Sequence, residues 1–258
     1  KLALPFGVVI ELGLLALPFT MLWIAGVINA MNLIDGLDGL AGGVALIAVT
    51  TIFTLAALRG EPLMLLFTAA LAGAVLGFLF YNFNPATIFM GDTGSMFLGF
   101  VLATTAIRTS SKSTTAVAIV VPILALGIPI SDTLLAMGRR AIRGAPLFSA
   151  DRGHIHHRLM DRGLSHRSAV LVIYLGALVF GASALLLSFT RGVQSAIVLS
   201  VLAGLAFLAF RALGMVDFGK ARAALADRRR NLDVRAEVRR AGERLREARV
   251  PADVWQVV

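Results

Sequence analysis

The chain has 258 residues, of which 58% are hydrophobic and only 15% charged, and it contains no cysteine. Soluble domains carry about a quarter charged residues, so a single water-facing globule is excluded, as are disulfides and thiolate metal sites. The formal charge of +9 does not point to nucleic acid, because the Lys and Arg residues gather in one loop and one tail, as they do on the cytoplasmic side of membrane proteins.

The first residue is Lys1, and the first apolar run holds Pro5, Glu11 and Pro18. That pattern is not a cleavable signal peptide, and the chain reads as starting inside a longer protein. Hydropathy predicts an all-α polytopic membrane protein with seven segments, about 3–28, 41–58, 63–81, 94–107, 116–138, 168–188 and 193–211. The fourth is short for a crossing, which takes roughly 20 residues. Its polar start at Asp92-Thr93-Gly94-Ser95 is expected either to be recessed in the membrane or to follow a helical turn from Ala86–Met90. Pro122 and Pro129 should kink the fifth.

Between the fifth and sixth segments, Arg139, Arg140, Arg143, Arg152, Arg158, Arg162 and Arg167 face only Asp151 and Asp161. The positive-inside rule places this loop in the cytoplasm. Alternation then puts loops 29–40 and 82–93 on the same face and 59–62, 108–115 and 189–192 on the other. Residues 1–213 read as the membrane-embedded domain and 214–258 as a basic cytoplasmic tail. Leu225, Leu232, Val238 and Leu245 recur about every seven residues there, marking an amphipathic or weakly coiled-coil helix.

Three polar clusters occupy the cytoplasmic loops. In Asn29–Gly43, Asp35 and Asp38 are three residues apart and would share a helical face. Carboxylates there suit a hard cation such as Mg²⁺, and Asn29 and Asn32 can donate to phosphate or sugar oxygens. Gly36, Gly39, Gly42 and Gly43 would let backbone approach a phosphate or a neighbouring helix. The plain alternative is a loop of ordinary turn residues. In Asn82–Ser95, Asp92 stands at the start of an apolar helix, as a metal ligand, a simple N-cap or both. In Asp151–Leu159, His154, His156 and His157 accompany Arg152 and Arg158. A cationic cradle for a diphosphate fits these residue types better than zinc; a membrane anchor with incidental histidines is the bland reading. Together the clusters offer three carboxylates opposite a basic loop, a charge pattern suited to a nucleoside diphosphate compound beside a membrane.

The stretches Asn29–Gly43, Phe89–Gly99, Pro129–Arg139 and Phe148–Leu164 together resemble the bacterial polyprenyl-phosphate N-acetylhexosamine-1-phosphate transferases, in particular the undecaprenyl-phosphate GlcNAc-1-phosphate transferase branch. The resemblance implies transfer of GlcNAc-1-phosphate from UDP-GlcNAc to a polyprenyl phosphate, giving polyprenyl-diphospho-GlcNAc and UMP, as the first membrane step of a cell-envelope polysaccharide. It implies Mg²⁺, with Mn²⁺ as a substitute, and a multi-pass protein of the bacterial inner membrane whose active site faces the cytoplasm. It makes Asp92 the metal ligand and Asp35, Asp38 and Asp92 the catalytic set. Asn29, Asn32, Arg152, His154, His156, His157 and Arg158 become the substrate-binding set, and Asp132 ranks below all of these. The partners expected are UDP-GlcNAc, the lipid phosphate and the membrane, with a homodimer left open and no nucleic acid.

One departure stands out. The family carries about ten or eleven helices and an Asp-Asp motif in an earlier cytoplasmic loop, and no Asp-Asp pair occurs here. The chain is therefore expected to be the C-terminal part of the domain and incomplete for catalysis by itself. Competing readings are the phospho-MurNAc-pentapeptide transferase, a sister enzyme using another UDP-HexNAc, a cation-coupled transporter and a non-catalytic assembly subunit.

Overall fold

The computed structural model describes residues 2–3, 9–10, 13–110, 117–146, 153–190, 192–216 and 218–247. A minimal antiparallel pair, β1 (Leu2–Ala3) and β2 (Val9–Ile10), sets Leu2 opposite Ile10. A 3-10 turn at Gly13–Leu15 then opens α1 (Ala16–Ile34). The first segment expected from the sequence, 3–28, is therefore displaced toward the C-terminus. Pro18 falls in the first turn of α1, where a missing N–H costs little, and the helix carries Asn29 and Asn32 in its last turns instead of in a loop.

The chain continues through α2 (Leu40–Leu58), α3 (Pro62–Asn82), α4 (Gly91–Ser110), α5 (Val117–Ala125), α6 (Gly127–Arg143), α7 (Ile155–Met160), α8 (His166–Phe189), α9 (Val193–Ala212) and α10 (Phe218–Glu247). Five helical stretches among the described residues are long and apolar enough to cross a membrane: Gly13–Ile34, Leu40–Leu58, Pro62–Asn82, His166–Phe189 and Val193–Ala212. The other two of the seven expected segments fall short for different reasons. α4 reaches 20 residues but carries Asp92, Arg108 and several Thr. The fifth is split at Leu126 into α5 and α6, with Pro122 inside α5 and Pro129 just inside α6, as its two prolines predict.

Two compact units result. The first comprises 1–136 and 151–216, the second 137–150 and 217–258. In the second, Arg228 Nη1 of α10 donates to Ala141 O at 2.9 Å. In the first, α2 is the axis. Its small residues Ala41, Gly42, Gly43, Ala45 and Ala48 are buried, and α1, α3, α4, α5 and α8 pack around it. Small side chains let backbones approach closely where lipid supplies no hydrophobic drive between helices. The α1–α4 crossing is equally close, since a Cβ on Gly99 would lie 2.7 Å from Ile28 Cα. Outward faces are the reverse of a soluble protein's. Leu63, Leu66 and Leu76 on α3, Leu171, Leu175 and Leu178 on α8, and Ile197, Val201 and Leu205 on α9 are all more than half exposed. Large apolar side chains left exposed along long apolar helices suit a lipid-facing surface.

The helices run antiparallel, which separates the loops into two groups. At one end, the Arg59 guanidinium donates to Thr109 O, closing α2 against α4. At the other, Asn84 donates to Asp38 and Asn32 to Asp92, and Arg162 donates to Leu213 O and Ala212 O, capping α9. Loops 35–39, 83–90 and 153–165 thus share one end, as the alternation of segments predicted.

Candidate active site

The site is built where α1 stops. Asp35 is the C-cap of α1, and residues 35–39 form a turn in which Gly39 adopts φ 79°. The expectation that Asp35 and Asp38 share a helical face fails here, because the helix ends at Ile34. The two carboxylates part company. Asp38 Oδ2 accepts from Asn84 Nδ2 at 3.0 Å and from the Ala86 N–H at 3.2 Å, bolting the acidic turn to the loop before α4. The Asn84 amide, the Ala86 N–H and His166 hold its carboxyl below the ordinary value against the opposing effect of burial.

Asp35 differs from it electrostatically. Burial, with the charge of Asp92 adding to it, raises the Asp35 carboxyl from 3.8 to about 6. Asp92 stands in the first turn of α4, and its Oδ1 accepts from Asn32 Nδ2 at 3.1 Å. The same amide nitrogen reaches Ser95 Oγ at 3.1 Å. No helical turn precedes α4 over 86–90, so Asp92 stands at the helix entrance, beside Asn32 on α1. Asn29, one turn earlier on α1, is half-buried.

The histidine loop reaches the acidic turn through the His156 ring. His156 is 3% exposed and lies against Gly36, where a Cβ would stand 2.6 Å from its Nε2. Its Nδ1 is buried without a hydrogen-bond partner among the described residues. Burial and the neighbouring His157 and His154 bring this imidazole down to about 4, with Asp132 opposing, so it is neutral at neutral pH. His157 is half-buried with its ring 4.2 Å from that of His156, and His154 lies nearly parallel to His156 at 6.0 Å. Arg158 is half-buried on α7, and Arg152 lies outside the described residues.

Five positions hold this constellation without having been placed in the catalytic or substrate-binding set from the sequence. Asp132, ranked last there, is 2% exposed; it accepts from His154 Nδ1 at 2.9 Å and from the Ile155 N–H at 3.0 Å. Asn82 Oδ1 accepts from the Gly39 N–H at 3.0 Å, and its Nδ2 donates to Ile88 O. His166 approaches Asp38 O at 3.4 Å, and Arg167 donates to Asn84 O at 3.0 Å. Tyr174 donates to Gly39 O. Asn82 could have been suspected as a buried amide beside a turn; nothing local marks Tyr174 within its apolar helix.

The donor chemistry fits a hard cation. Asp35 and Asp92 offer two carboxylates, with the Asn32 amide holding the second, and the Asp35 carboxyl is raised chiefly by burial, the charge of Asp92 adding to it. Among the described residues no group of three or more His, Cys, Asp or Glu is placed to hold a metal. Mg²⁺ needs no such cage, since it binds through one or two carboxylates and completes its shell with water and substrate phosphate.

Apolar helices with a carboxylate, amide and imidazole cluster at one end define a multi-pass membrane protein with a polar site at the mouth of its bundle. Residues 1–110 match the model of glycosyl transferase family 4. The chain belongs to that family. It is 48% identical over 177 residues to the probable undecaprenyl-phosphate N-acetylglucosaminyl 1-phosphate transferase of Bacillus subtilis, covering 69% of this chain and 49% of that protein. It is 40% identical over 185 residues to the decaprenyl-phosphate N-acetylglucosaminephosphotransferase of Mycobacterium tuberculosis, covering 64% and 46%. With the undecaprenyl-phosphate alpha-N-acetylglucosaminyl 1-phosphate transferase of Escherichia coli K12 it shares 30% over 195 residues, covering 74% and 53%. The chain spans about half the length of these curated relatives.

Proposed function

We propose that the protein transfers N-acetylglucosamine 1-phosphate from UDP-N-acetylglucosamine to a polyprenyl phosphate at the cytoplasmic face of the bacterial inner membrane, releasing UMP. The relatives' names point to this reaction, and the observation that carries it to this chain is the 3.1 Å hydrogen bond that joins Asp92, at the start of α4, to Asn32, three residues before Asp35 at the end of α1. The surplus of Arg in 139–167 favours a cytoplasmic site. The antiparallel path of α4 and of the bent α5–α6 pair favours counting both as passages, which restores seven.

In the reaction, a phosphate oxygen of the lipid bonds to the β-phosphorus of the nucleotide sugar, and the bond from that phosphorus to the oxygen bridging to the α-phosphate breaks. A phosphate monoester has its second pKa near 6, so the attacking group is mostly dianionic at neutral pH and needs little base catalysis. Holding two anions together is the main task. Asp35 and Asp92 would hold Mg²⁺, with Asn32 fixing the Asp92 carboxylate, and the ion when bound neutralises and orients the diphosphate. His154, His157 and Arg158 supply donors for diphosphate and nucleotide, as Arg152 would from outside the described residues. His156, wedged on Gly36, couples that loop to the acidic turn. Asp38 fixes the turn to the loop before α4.

The test uses the full-length protein in proteoliposomes carrying polyprenyl phosphate. UDP-GlcNAc with Mg²⁺ should yield UMP and a lipid-linked sugar, and added UMP should reverse the reaction, because one phosphoanhydride replaces another. Competition with other UDP-HexNAc compounds ranks the sugar. Absence of UMP release with every UDP-sugar and every divalent cation would end this reading.

A further inference from the structure

We infer that Tyr174 is a positioning residue for the acidic turn, and that Gly43 lacks a side chain in order to admit it. The kinetic part of this inference rests on the transferase reading above; the structural part does not.

Tyr174 lies two turns into α8, a helix otherwise read as an apolar span. Its hydroxyl donates to Gly39 O, the last carbonyl of the acidic turn. A Cβ on Gly43, one turn into α2, would overlap the Tyr174 phenol, meeting both its oxygen and its ring carbons. Gly39 itself is held on its other side, its N–H donating to Asn82 Oδ1 at 3.0 Å. Both backbone groups of the residue that ends the turn are therefore fixed by side chains from two other helices, α3 and α8. At the opposite end of the turn, His156 presses on Gly36.

The consequence is mechanical. Asp35 and Asp38 ride on five residues whose backbone has no regular hydrogen-bond ladder, and Gly39 at φ 79° can relax in ways that other residues cannot. Sites that hold charged groups lose efficiency when the supporting backbone loosens, even though the carboxylates remain present. Tyr174 and Asn82 remove that freedom. The glycines of this motif are docking surfaces for rings from elsewhere in the chain: Gly36 receives His156, and Gly43 receives Tyr174.

Two measurements on the full-length protein test this. In the first, thermal unfolding in detergent is followed for Gly43→Ala, Tyr174→Ala and the double variant. The clash predicts that Gly43→Ala lowers the midpoint in the wild-type background and lowers it far less once Tyr174 is Ala. Equal shifts in both backgrounds overturn the docking of Tyr174 on Gly43, whatever the protein catalyses. In the second, Tyr174→Phe keeps the ring and removes only the hydroxyl. It should lower kcat about three- to tenfold, the effect of one hydrogen bond, and raise the Mg²⁺ concentration for half-maximal rate, with KM for UDP-GlcNAc little changed and the unfolding midpoint retained. A lowered midpoint with unchanged kcat and Mg²⁺ dependence would make Tyr174 merely structural and overturn the positioning role. If wild-type protein released no UMP, the transferase reading would fall while the unfolding comparison still decided the docking.

Discussion

The carboxylate of Asp132 holds two groups of the histidine loop at once, accepting from His154 Nδ1 at 2.9 Å and from the Ile155 N–H at 3.0 Å. A carboxylate accepts and does not donate, so the shared proton resides on Nδ1 and the tautomer of His154 is set, leaving Nε2 as its second functional nitrogen. Asp132→Asn keeps the shape and weakens both bonds. We expect a loss of about 1.5–3 kcal/mol, the range for hydrogen bonds to charged groups, seen as a lower unfolding midpoint together with a raised KM for the nucleotide sugar. An unchanged KM would separate Asp132 from the substrate loop.

Asn32 stands behind Asp92 as a metal ligand's partner stands behind the ligand. Its amide fixes the Asp92 carboxylate against α1. Asp92→Asn should abolish turnover. Asn32→Ala should leave turnover measurable but weaken Mg²⁺ by about 10- to 100-fold, as loss of such supporting bonds commonly does. A Mg²⁺ titration of activity reads both; wild-type behaviour of Asp92→Asn across the titration would remove Asp92 as a ligand.

Gly36→Ala places a Cβ 2.6 Å from His156 Nε2. The ring must shift, and overpacking of this kind costs about 1–3 kcal/mol. The expected result is a lower unfolding midpoint and lower activity. Most of the stability loss should disappear when His156 is also Ala. Additive losses in the double variant would show that Gly36 is required for some other reason.

His156 gives the fold a pH dependence with a definite sign. Its imidazole is lowered from 6.5 to about 4, so between these values the unfolded chain binds a proton that the folded one refuses. Stability should therefore fall as pH drops from about 6.5 toward 4, by up to a few kcal/mol, and should be independent of this group above 6.5. Unfolding midpoints compared between pH 7 and pH 5 should show a larger drop for wild type than for His156→Gln. Equal drops would mean that His156 is not buried neutral.

Much of this protein was written in its one-dimensional pattern. Runs such as 41–58 and 168–188 are long and apolar enough to announce spans, and alternation of spans alone puts loops 29–40, 82–93 and 139–167 on one face. Other features needed the third dimension. Asp35 and Asp38 are neighbours in sequence yet differ in surroundings, because α1 stops at Ile34: Asp35 caps the helix, while the turn carries the Asp38 carboxyl to Asn84. The glycines of Asn29–Gly43, expected to admit a phosphate or a helix, admit His156 and Tyr174 at Gly36 and Gly43. Hydropathy and spacing report which residues leave water and how far apart they lie along one helix. Which side chain meets which glycine depends on the rotation and packing of helices more than a hundred residues apart, as Tyr174 and Gly39 are, and only the assembled bundle decides that.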